Sequence, residues 1–332
     1  MGTVRLFDED SRLIQFEACV LSCEEEGGLY KVELTQTAFF PEEGGQTCDK
    51  GTLQDMDVLK VVEKDGVIYH YVAEQMWEGD TVTGYIDGDK RFSDMQQHSG
   101  EHIVSVLVNE YFGFDNVGFH LGSEFVTMDF NGKLSPDDLR MIELKANKVV
   151  ASNKEVEVLW PSPEELADMD YRSKKELSGN VRIVRIGGVD TCACCAPHVH
   201  RTGEIGQIKL VNMVSYKGGV RVFMLCGFRA LADYNDKDAI IKQLSAQLSS
   251  KQEEITANVA KLQEENLRMK NELLTIKKEQ VLAEIKALPE GEAHGLFFTE
   301  ELDKTAVKEA WEVMCGKFPG ISGIFIGSDE TG

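Results

Sequence analysis

The sequence predicts an α+β fold arranged in four successive parts. Before residue 90, short apolar runs separated by turn residues are typical of a small β-barrel-like domain. From 91 to 235, helical and strand patterns alternate, which indicates an α+β domain. Between 236 and 288 neither Gly nor Pro occurs, and this favours a long helical segment. Residues 289–332 return to a short α/β pattern, which predicts a partial unit.

The clearest strand signals lie in the N-terminal part, residues 1–90. Leu29–Leu34 is one short apolar run of this kind. Val58–Val62 and Val67–Val72 are separated by a turn that contains Asp65 and Gly66, so they predict a β-hairpin.

The second part, residues 91–235, mixes both kinds of element. Ser93 is expected to cap a helix that carries His98 and His102 at helical spacing. Ser135 followed by Pro136 predicts the start of another helix. Strands are expected at Phe125–Phe130, Val156–Trp160, Val181–Ile186, Gly206–Val214 and Arg221–Cys226.

A heptad pattern runs through the helical segment 236–288. Its seam consists of Ile255, Val259, Leu262, Asn266, Met269, Leu273 and Ile276. Two interpretations stay open: a helical hairpin that packs on itself, or a homodimeric coiled coil through residues 240–285 with Asn266 setting the register. The last part, with a helix near Thr305–Met314 and a strand at Gly320–Gly327, has few residues left to complete a unit, as expected of a fragment.

The chain is strongly acidic, with 57 Asp and Glu against 35 Lys and Arg and a net charge of −22. This argues against broad, non-specific binding of nucleic acid. Residues 172–229 are the exception, with ten basic and three acidic residues, so a local basic face is compatible with the sequence. No apolar run approaches the ~20 residues that cross a bilayer, and no signal pattern precedes the first strand. We therefore expect a cytoplasmic protein with no membrane partner.

Two separated elements carry the ligand types of a transition-metal site. His98 and His102 are four residues apart, which places both imidazoles on one face of a helix. Cys194 and His198 form a second pair with the same spacing. A thiolate with imidazoles suits Zn²⁺ better than Mg²⁺ or Ca²⁺. On spacing alone Cys192, Cys195 and His200 compete as ligands, and the count of four does not separate a structural from a catalytic zinc.

Two further segments attract attention. Pro41 is followed by Gly44, Gly45 and Gln46, and the two glycines allow the backbone to approach another group closely. A tight loop and a ligand-facing loop are both compatible with this pattern. His120 lies between Gly118 and Gly122, where a histidine of the core or the surface is the simplest interpretation.

The motifs occur in a fixed order: Phe40-Pro-Glu-Glu-Gly-Gly-Gln46, Gln97-His-Ser-Gly-Glu-His102, and Cys194 to His198 followed by Val-His-Arg-Thr-Gly-Glu-Ile-Gly206. In this combination the chain resembles AlaX, the free-standing relatives of the editing domain of alanyl-tRNA synthetase. The resemblance covers residues 5–235, and the helical tail is similar to the extension of the long AlaX forms. One departure is Cys195-Ala196-Pro197, where the family has two glycines and a threonine.

The resemblance implies a zinc-dependent hydrolase that deacylates tRNA(Ala) mischarged with serine, or with glycine. It implies zinc ligands at His98, His102, Cys194 and His198, and catalytic or sensing roles for Thr37, Gln46 and His120. Gly44, Gly45 and Arg201 are expected to contact the substrate. A hydrogen-bonding site would select serine over alanine because alanine leaves its polar groups unpaired. The alternatives are an editing hydrolase of the threonyl-tRNA type and a non-catalytic zinc and coiled-coil module that binds RNA.

Overall fold

A computed structural model describes residues 2–173, 181–289, 292–300 and 302–327. The chain forms two compact units, residues 1–236 and 237–332. Helices and several β-sheets alternate along it, which confirms the mixed α and β class. The predicted division into four domains stays a prediction.

The N-terminal part of the first unit is a β-rich layer with one short helix, α1 (Leu6–Glu9). Its strands are β1 (Val4–Arg5), β2 (Gln15–Glu26), β3 (Leu29–Leu34), β4 (Gln36–Thr37), β5 (Gly51–Leu53), β6 (Met56–Asp57), β7 (Lys60–Lys64), β8 (Val67–Val72) and β9 (Thr81–Ile86). Seven of them form one sheet in the order β6-β5-β9-β2-β3-β8-β7, and β1 pairs with β4 in parallel.

The predicted β-hairpin is confirmed, since β7 and β8 pair in antiparallel register from Lys64 and Val67 outward. The predicted barrel-like closure is wrong. Among the described residues, the end strands β6 and β7 pair only with β5 and β8, so the sheet stays open. The alternating pattern shows that strands exist, but it does not show whether the first and last strands of a sheet meet.

The rest of the first unit contains the helices and sheets around which the site is built. Its elements are α2 (Gly88–Phe112), β10 (Asn116–Leu121), β11 (Val126–Phe130), α3 (Pro136–Ala151), β12 (Val156–Leu159), α4 (Pro163–Ala167), β13 (Ile183–Ile186), β14 (Asp190–Ala193), β15 (Ile208–Tyr216) and β16 (Gly219–Cys226). Two antiparallel sheets result, with the orders β10-β11-β16-β15 and β12-β13-β14.

The two long helices of this region differ in how well their starts were predicted. Helix α3 begins as expected, because Ser135 and Asp138 form a reciprocal capping box. Helix α2 begins earlier than expected: the Asp87 side chain accepts a hydrogen bond from the Lys90 amide at 2.9 Å, and Ser93 lies inside the helix. The prediction of Ser93 as the cap is therefore wrong, because an equally good capping residue stands one and a half turns upstream.

The second unit contains most of α5 (Gly227–Gln247), all of α6 (Ile255–Ala287), and a parallel pair β17 (Gly295–Thr299) and β18 (Ser322–Ile326) joined through α7 (Lys304–Lys317). The expected helical segment is thus two helices, separated by a break that contains Ser249 with φ of +47°. None of the helices in the described residues is both long and apolar enough to span a membrane.

Two hydrophobic cores meet inside the first unit. One lies between the N-terminal strands and includes Phe39 and Phe40, and the other lies between α2, α3 and the sheet around β16. Cys194 packs against both cores. The candidate site therefore lies where they join.

Candidate functional site

Helix α2 supplies the first pair of candidate ligands. Its 25 residues run through the core, and it ends at Gly113, which adopts the left-handed conformation with φ of +69°. His98 and His102 are both buried on one face of this helix. Because the helix is long and packed along its length, it fixes the spacing of the two imidazoles.

A short loop after β14 supplies the second pair, Cys194 and His198. Arg182, on the neighbouring chain segment, holds this loop by donating hydrogen bonds to the carbonyl oxygens of Cys194 and Ala196 at 2.8 and 2.9 Å. Its guanidinium is buried and pairs with Asp8 at 3.1 Å. The loop is therefore anchored to the first turns of the chain.

The two pairs converge. One ligand atom each of His98, His102, Cys194 and His198 lies within 4.8 Å of the others. The Cys194 Sγ atom is 3.3 Å from Nε2 of His198 and 3.6 Å from Nε2 of His98. Four donors at this separation can surround one metal ion. The predicted meeting of the two motifs is confirmed as a cluster able to bind a metal.

Each imidazole is oriented by a hydrogen bond at its other nitrogen. Nδ1 of His98 lies 2.8 Å from Gln46 Oε1, Nδ1 of His102 lies 3.1 Å from Asp190 Oδ2, and Nδ1 of His198 lies 3.0 Å from Ser99 Oγ. Such partners fix the tautomer and leave Nε2 available as a ligand atom. All three Nε2 atoms are therefore prepared for metal binding.

The position of Asp190 is fixed by Arg172. Its carboxylate accepts two hydrogen bonds from Arg172, at 2.8 and 2.7 Å, and its side chain is 1% exposed. Burial raises the pKa of Asp190, but His102 and Arg172 outweigh burial and hold that pKa at about 2. The partner of His102 is thus a carboxylate at any neutral pH.

Two of the four donors, Cys194 and His198, have protonation states that suit a metal site. Burial raises the pKa of the Cys194 thiol, but His98 and His198 outweigh burial and hold it well below its usual range. Burial also lowers the pKa of His198 to about 3, so this ring is neutral. The pKa of His102 is raised, because Cys192 and Asp190 outweigh burial. A metal that binds His102 must therefore displace a proton.

A cavity of about 320 Å³ opens over the cluster. Its lining includes two aromatic residues, Phe40 and Phe119, and two acidic residues, Glu43 and Glu101. The remaining lining residues are Gly44, His98, His102, Val117, Gly118, Ser173, Cys192, Ala193, Cys194, Cys195 and Ala196. An apolar wall with a few polar groups is typical of a site for a small organic group.

The glycine-rich loop forms one rim of this cavity. Gly44 lines it, and Gly45 packs against β10, where its carbonyl oxygen accepts from the Leu121 amide at 2.8 Å. Gly45 has φ of +87°, and a Cβ atom there would lie 2.4 Å from the carbonyl oxygen of Phe119. Only glycine allows this approach. The loop is therefore tight, and it lines the cavity through Gly44.

Arg91 and Asp49 attach the same loop to helix α2. Arg91 is 1% exposed and forms an ion pair with Asp49, and its Nη1 donates to the carbonyl oxygen of Ser11 at 2.8 Å. Asp49 in turn accepts from the Phe40 amide at 2.6 Å. The loop is therefore tied through buried hydrogen bonds to the helix that carries His98 and His102.

The other predicted catalytic residues differ in position. Gln46 is buried and its Oε1 contacts His98, so it orients a ligand. Thr37 is fully buried, and its hydroxyl bonds Nε2 of His70 at 2.8 Å and the Phe39 amide at 3.0 Å. His120 is exposed on β10. Neither Thr37 nor His120 is among the residues that line the cavity, and their catalytic roles stay predictions.

The three other candidate ligands, Cys192, Cys195 and His200, lie at different positions relative to the cluster. Cys192 belongs to a second buried group with His102 and Asp190. Cys195 lines the cavity and keeps some contact with solvent, but the protein atoms packed around its thiol remove enough water to raise its pKa to about 11. His200 lies outside the cluster, with Nε2 3.1 Å from the Ser11 hydroxyl.

The basic stretch 172–229 is largely neutralised in the fold. Its ion pairs are Arg172–Asp190, Arg182–Asp8, Arg185–Glu157, Lys209–Glu143, Arg221–Asp129 and Arg229–Asp94. Arg201 is exposed and donates to the Asn153 carbonyl oxygen at 2.6 Å. Lys174 and Lys175 lie outside the described residues. Six of the eight basic residues that are described in this stretch are therefore paired with acidic side chains.

Four residues that lie at or beside the cluster were not predicted from the sequence: Glu101, Asp190, Arg172 and Ser99. Glu101 and Ser99 stand inside the His98–His102 motif, and their positions could have drawn attention to them. Asp190 and Arg172 meet His102 only through folding, so no local pattern marks them.

Part of the chain matches a known protein family. Residues 181–222 match the family described as the threonyl and alanyl tRNA synthetase second additional domain. The matched segment is thus similar to a domain that threonyl and alanyl tRNA synthetases share. The match includes the Cys194–His198 loop, all of β15 and the first half of β16.

Among full-length relatives, the chain is 31% identical over 242 residues to the alanyl-tRNA editing protein AlaX-L of Pyrococcus horikoshii, covering 70% of this chain and 60% of the relative. It is 28% identical over 307 residues to the alanyl-tRNA editing protein Aarsd1 of Danio rerio, covering 87% and 74%. It is also 32% identical over 320 residues to an alanine–tRNA ligase of Natronomonas pharaonis, covering 91% and 33%. The resemblance to alanyl-tRNA editing proteins is thus confirmed, and the chain spans 60% of the length of the first of these relatives.

Proposed function

We propose that this protein is a zinc-dependent hydrolase that removes serine, and glycine, from mischarged tRNA(Ala). The observation that carries the proposal is the cluster of His98, His102, Cys194 and His198, the first three of which line a cavity. The names of the relatives support an editing reaction on alanyl-tRNA.

Zinc is the metal that the donor set fits. One thiolate and three imidazoles form a borderline-soft, four-donor site, whereas Mg²⁺ and Ca²⁺ prefer oxygen ligands. His98, His102, Cys194 and His198 would hold the ion. When bound, zinc can polarise an ester carbonyl or lower the pKa of a water molecule.

The residues of the chain supply the surroundings of the reaction. Phe40 and Phe119 form an apolar wall that excludes bulk water from the ester. Gly44 exposes backbone at the rim, where the end of an acceptor strand can approach. Gln46, Asp190 and the Ser99 hydroxyl keep the three imidazoles in place and have no direct role at the ester.

The direct test is the loss of serine from Ser-tRNA(Ala), measured beside Ala-tRNA(Ala) and a seryl-tRNA(Thr). We expect rapid hydrolysis of Ser-tRNA(Ala) only. Equal hydrolysis of the two tRNA(Ala) substrates would contradict an editing role. Preference for the tRNA(Thr) substrate would favour an editing hydrolase of the threonyl type.

A matched pair of variants connects the activity to the cluster. His198→Asn removes a ligand, and His200→Asn changes a histidine two residues away that faces Ser11. We expect loss of zinc and of hydrolysis in the first variant only. Full zinc content without hydrolysis in the wild type would favour a non-catalytic zinc module.

We further propose that the second unit mediates a homodimer through residues 240–285. The heptad seam of α6 is exposed in the single chain, with Leu262 at 52%, Leu273 at 52% and Ile276 at 60%. An apolar stripe of this kind needs a partner. Since α5 leaves the seam exposed, a second copy accounts for it better than a hairpin within one chain.

A further inference from the structure

A second cavity lies beside the one over the metal cluster. It has a volume of about 310 Å³, and its lining includes Val117, Asn131, Tyr216 and Lys217. Val117 also lines the first cavity. The two cavities are therefore neighbours that share one lining residue.

Val117 is brought to this position by a β-bulge in β10. The pairing of β10 with β11 shifts its register between Asn116 and Gly118, so Val117 is the extra residue. The Gly118 amide donates a hydrogen bond to the side-chain oxygen of Asn116 at 3.1 Å, which fixes the bulge. Val117 is consequently 66% exposed, as an apolar side chain that both cavities share.

An aromatic ring belongs to the second cavity and is held in place by its neighbours. The Arg221 guanidinium carbon lies 3.9 Å from the centre of the Tyr216 ring. Asp129 fixes that guanidinium by accepting two hydrogen bonds, at 2.6 and 2.8 Å. The ring is therefore positioned before any ligand arrives. Aromatic side chains of this kind pack against a nucleobase of any type, because every base has a π face.

Lys217 adds a positive charge to the same lining. Lys217 and Gly218 form the two-residue turn between β15 and β16, with φ of +44° and +86°. A turn this short holds the exposed lysine at a defined place. Within the described residues its ammonium group has no acidic partner, and it lies 5.1 Å from the centre of the Tyr216 ring. The charge is therefore available to an anion.

An aromatic ring beside a cation matches the base and the phosphate of a nucleotide. A tRNA carries its amino acid as an ester on the ribose of its last nucleotide, an adenosine. If the aminoacyl group occupies the cavity over the metal cluster, that nucleotide has to lie directly next to it. The second cavity is in this position.

We propose that the second cavity binds the terminal adenosine of the tRNA, with the base against Tyr216, the ribose against Val117 and the phosphate beside Lys217. The inference rests on the proposed deacylase function and adds to it a binding site for the nucleotide that carries the ester. Arg221 acts as a positioning residue, since it fixes the Tyr216 ring.

A second pair of tyrosine and lysine offers a matched control. Nζ of Lys145 lies 4.2 Å from the centre of the Tyr111 ring and donates to its hydroxyl at 2.7 Å. Tyr111 is 45% exposed, and neither residue is among those that line the two cavities. Replacing this pair removes the same chemical groups at another place on the surface.

The experiment measures kcat and KM on Ser-tRNA(Ala), and its competitive inhibition by adenosine 5′-monophosphate, the terminal nucleotide without its ester. The wild type is compared with Tyr216→Ala, Lys217→Gln and the controls Tyr111→Ala and Lys145→Gln. In Tyr216→Ala we expect KM and the inhibition constant to rise by roughly 5- to 150-fold, the range of one base–aromatic contact, with kcat and zinc content unchanged. In Lys217→Gln the slope of log(kcat/KM) against the logarithm of the salt concentration should fall by about 1, as for the loss of one phosphate contact. Both controls should behave as the wild type.

Three outcomes would overturn the inference. Wild-type KM and inhibition constant in Tyr216→Ala, together with normal hydrolysis, would refute the nucleotide site while leaving the deacylase function intact. Inhibition by adenosine 5′-monophosphate that does not compete with Ser-tRNA(Ala) would assign the cavity to a free nucleotide. No hydrolysis by the wild type would remove the proposed function, and this inference with it. Should Tyr216→Ala fold poorly, Tyr216→Leu keeps an apolar side chain without the aromatic face and is expected to show the same rise in KM.

Discussion

Replacing Asp190 by Asn tests whether the buried carboxylate behind His102 sets the affinity of the metal site. Asp190 Oδ2 lies 3.1 Å from Nδ1 of His102, and Arg172 donates to both oxygens. The amide keeps the size of the side chain but removes its charge. His102 then loses the anion that orients its ring, and Arg172 loses its partner.

The expected magnitude follows from these contacts. Loss of such an outer partner weakens metal binding by about 10- to 100-fold. Breaking a fully buried ion pair costs about 3–5 kcal/mol. The Arg172 side chain is 30% exposed, however, so water solvates part of it, and we expect a smaller loss in the free energy of unfolding, roughly 1–3 kcal/mol.

The assay is competition for zinc between the protein and a coloured chelator, with chemical denaturation in parallel. Glu157→Gln is the control, because it breaks the exposed pair with Arg185, whose atoms are 3.7 Å apart. That variant should keep the zinc affinity of the wild type, and its free energy of unfolding should fall by less than about 1 kcal/mol. Wild-type zinc affinity in Asp190→Asn would refute the reasoning.

Three further predictions concern other parts of the chain. Cys194→Ser should abolish stoichiometric zinc, measured by elemental analysis, whereas Cys195→Ser should retain it; the reverse result would transfer the ligand role. Burial lowers the pKa of His70 to about 4, so the unfolded chain binds more protons below pH 6.5 and stability falls as the pH drops towards 4. Between pH 7 and 4 the free energy of unfolding of the wild type should fall by about 3 kcal/mol more than that of His70→Gln, as measured by chemical denaturation. The same dependence of the unfolding free energy on pH in both proteins would contradict this. Leu273→Asp should convert a dimer to a monomer in light scattering. An unchanged mass would exclude the heptad seam as the dimer interface.

The two halves of the cluster could be predicted because their signals are local, whereas the choice of Cys194 and His198 over Cys192, Cys195 and His200 came from the family resemblance. His98 and His102 share a helix face by spacing alone, and the Cys194–His198 pair has the ligand types of zinc. The hairpin of β7 and β8 and the capped start of α3 are local in the same sense. Their physics is contained within a few neighbouring residues.

What could not be predicted depends on contacts distant in sequence. Whether the N-terminal sheet closes is decided by pairing between its end strands, which no alternation pattern reports. The arginines of the basic stretch pair with acids that are distant in the chain. Arg182 pairs with Asp8 and Arg221 pairs with Asp129, and each pair is separated by more than 90 residues. Glu101 belongs to the His98–His102 motif, but only its burial and its place in the cavity lining distinguish it from a solvent-exposed helix residue.

The most direct test of the central claim is X-ray absorption at the zinc edge of the purified protein. Coordination by His98, His102, Cys194 and His198 predicts one sulfur at about 2.3 Å and three nitrogens at about 2.0–2.1 Å. A shell with two sulfurs would bring Cys192 or Cys195 into the site. A shell with no sulfur, or no bound zinc at all, would contradict the account.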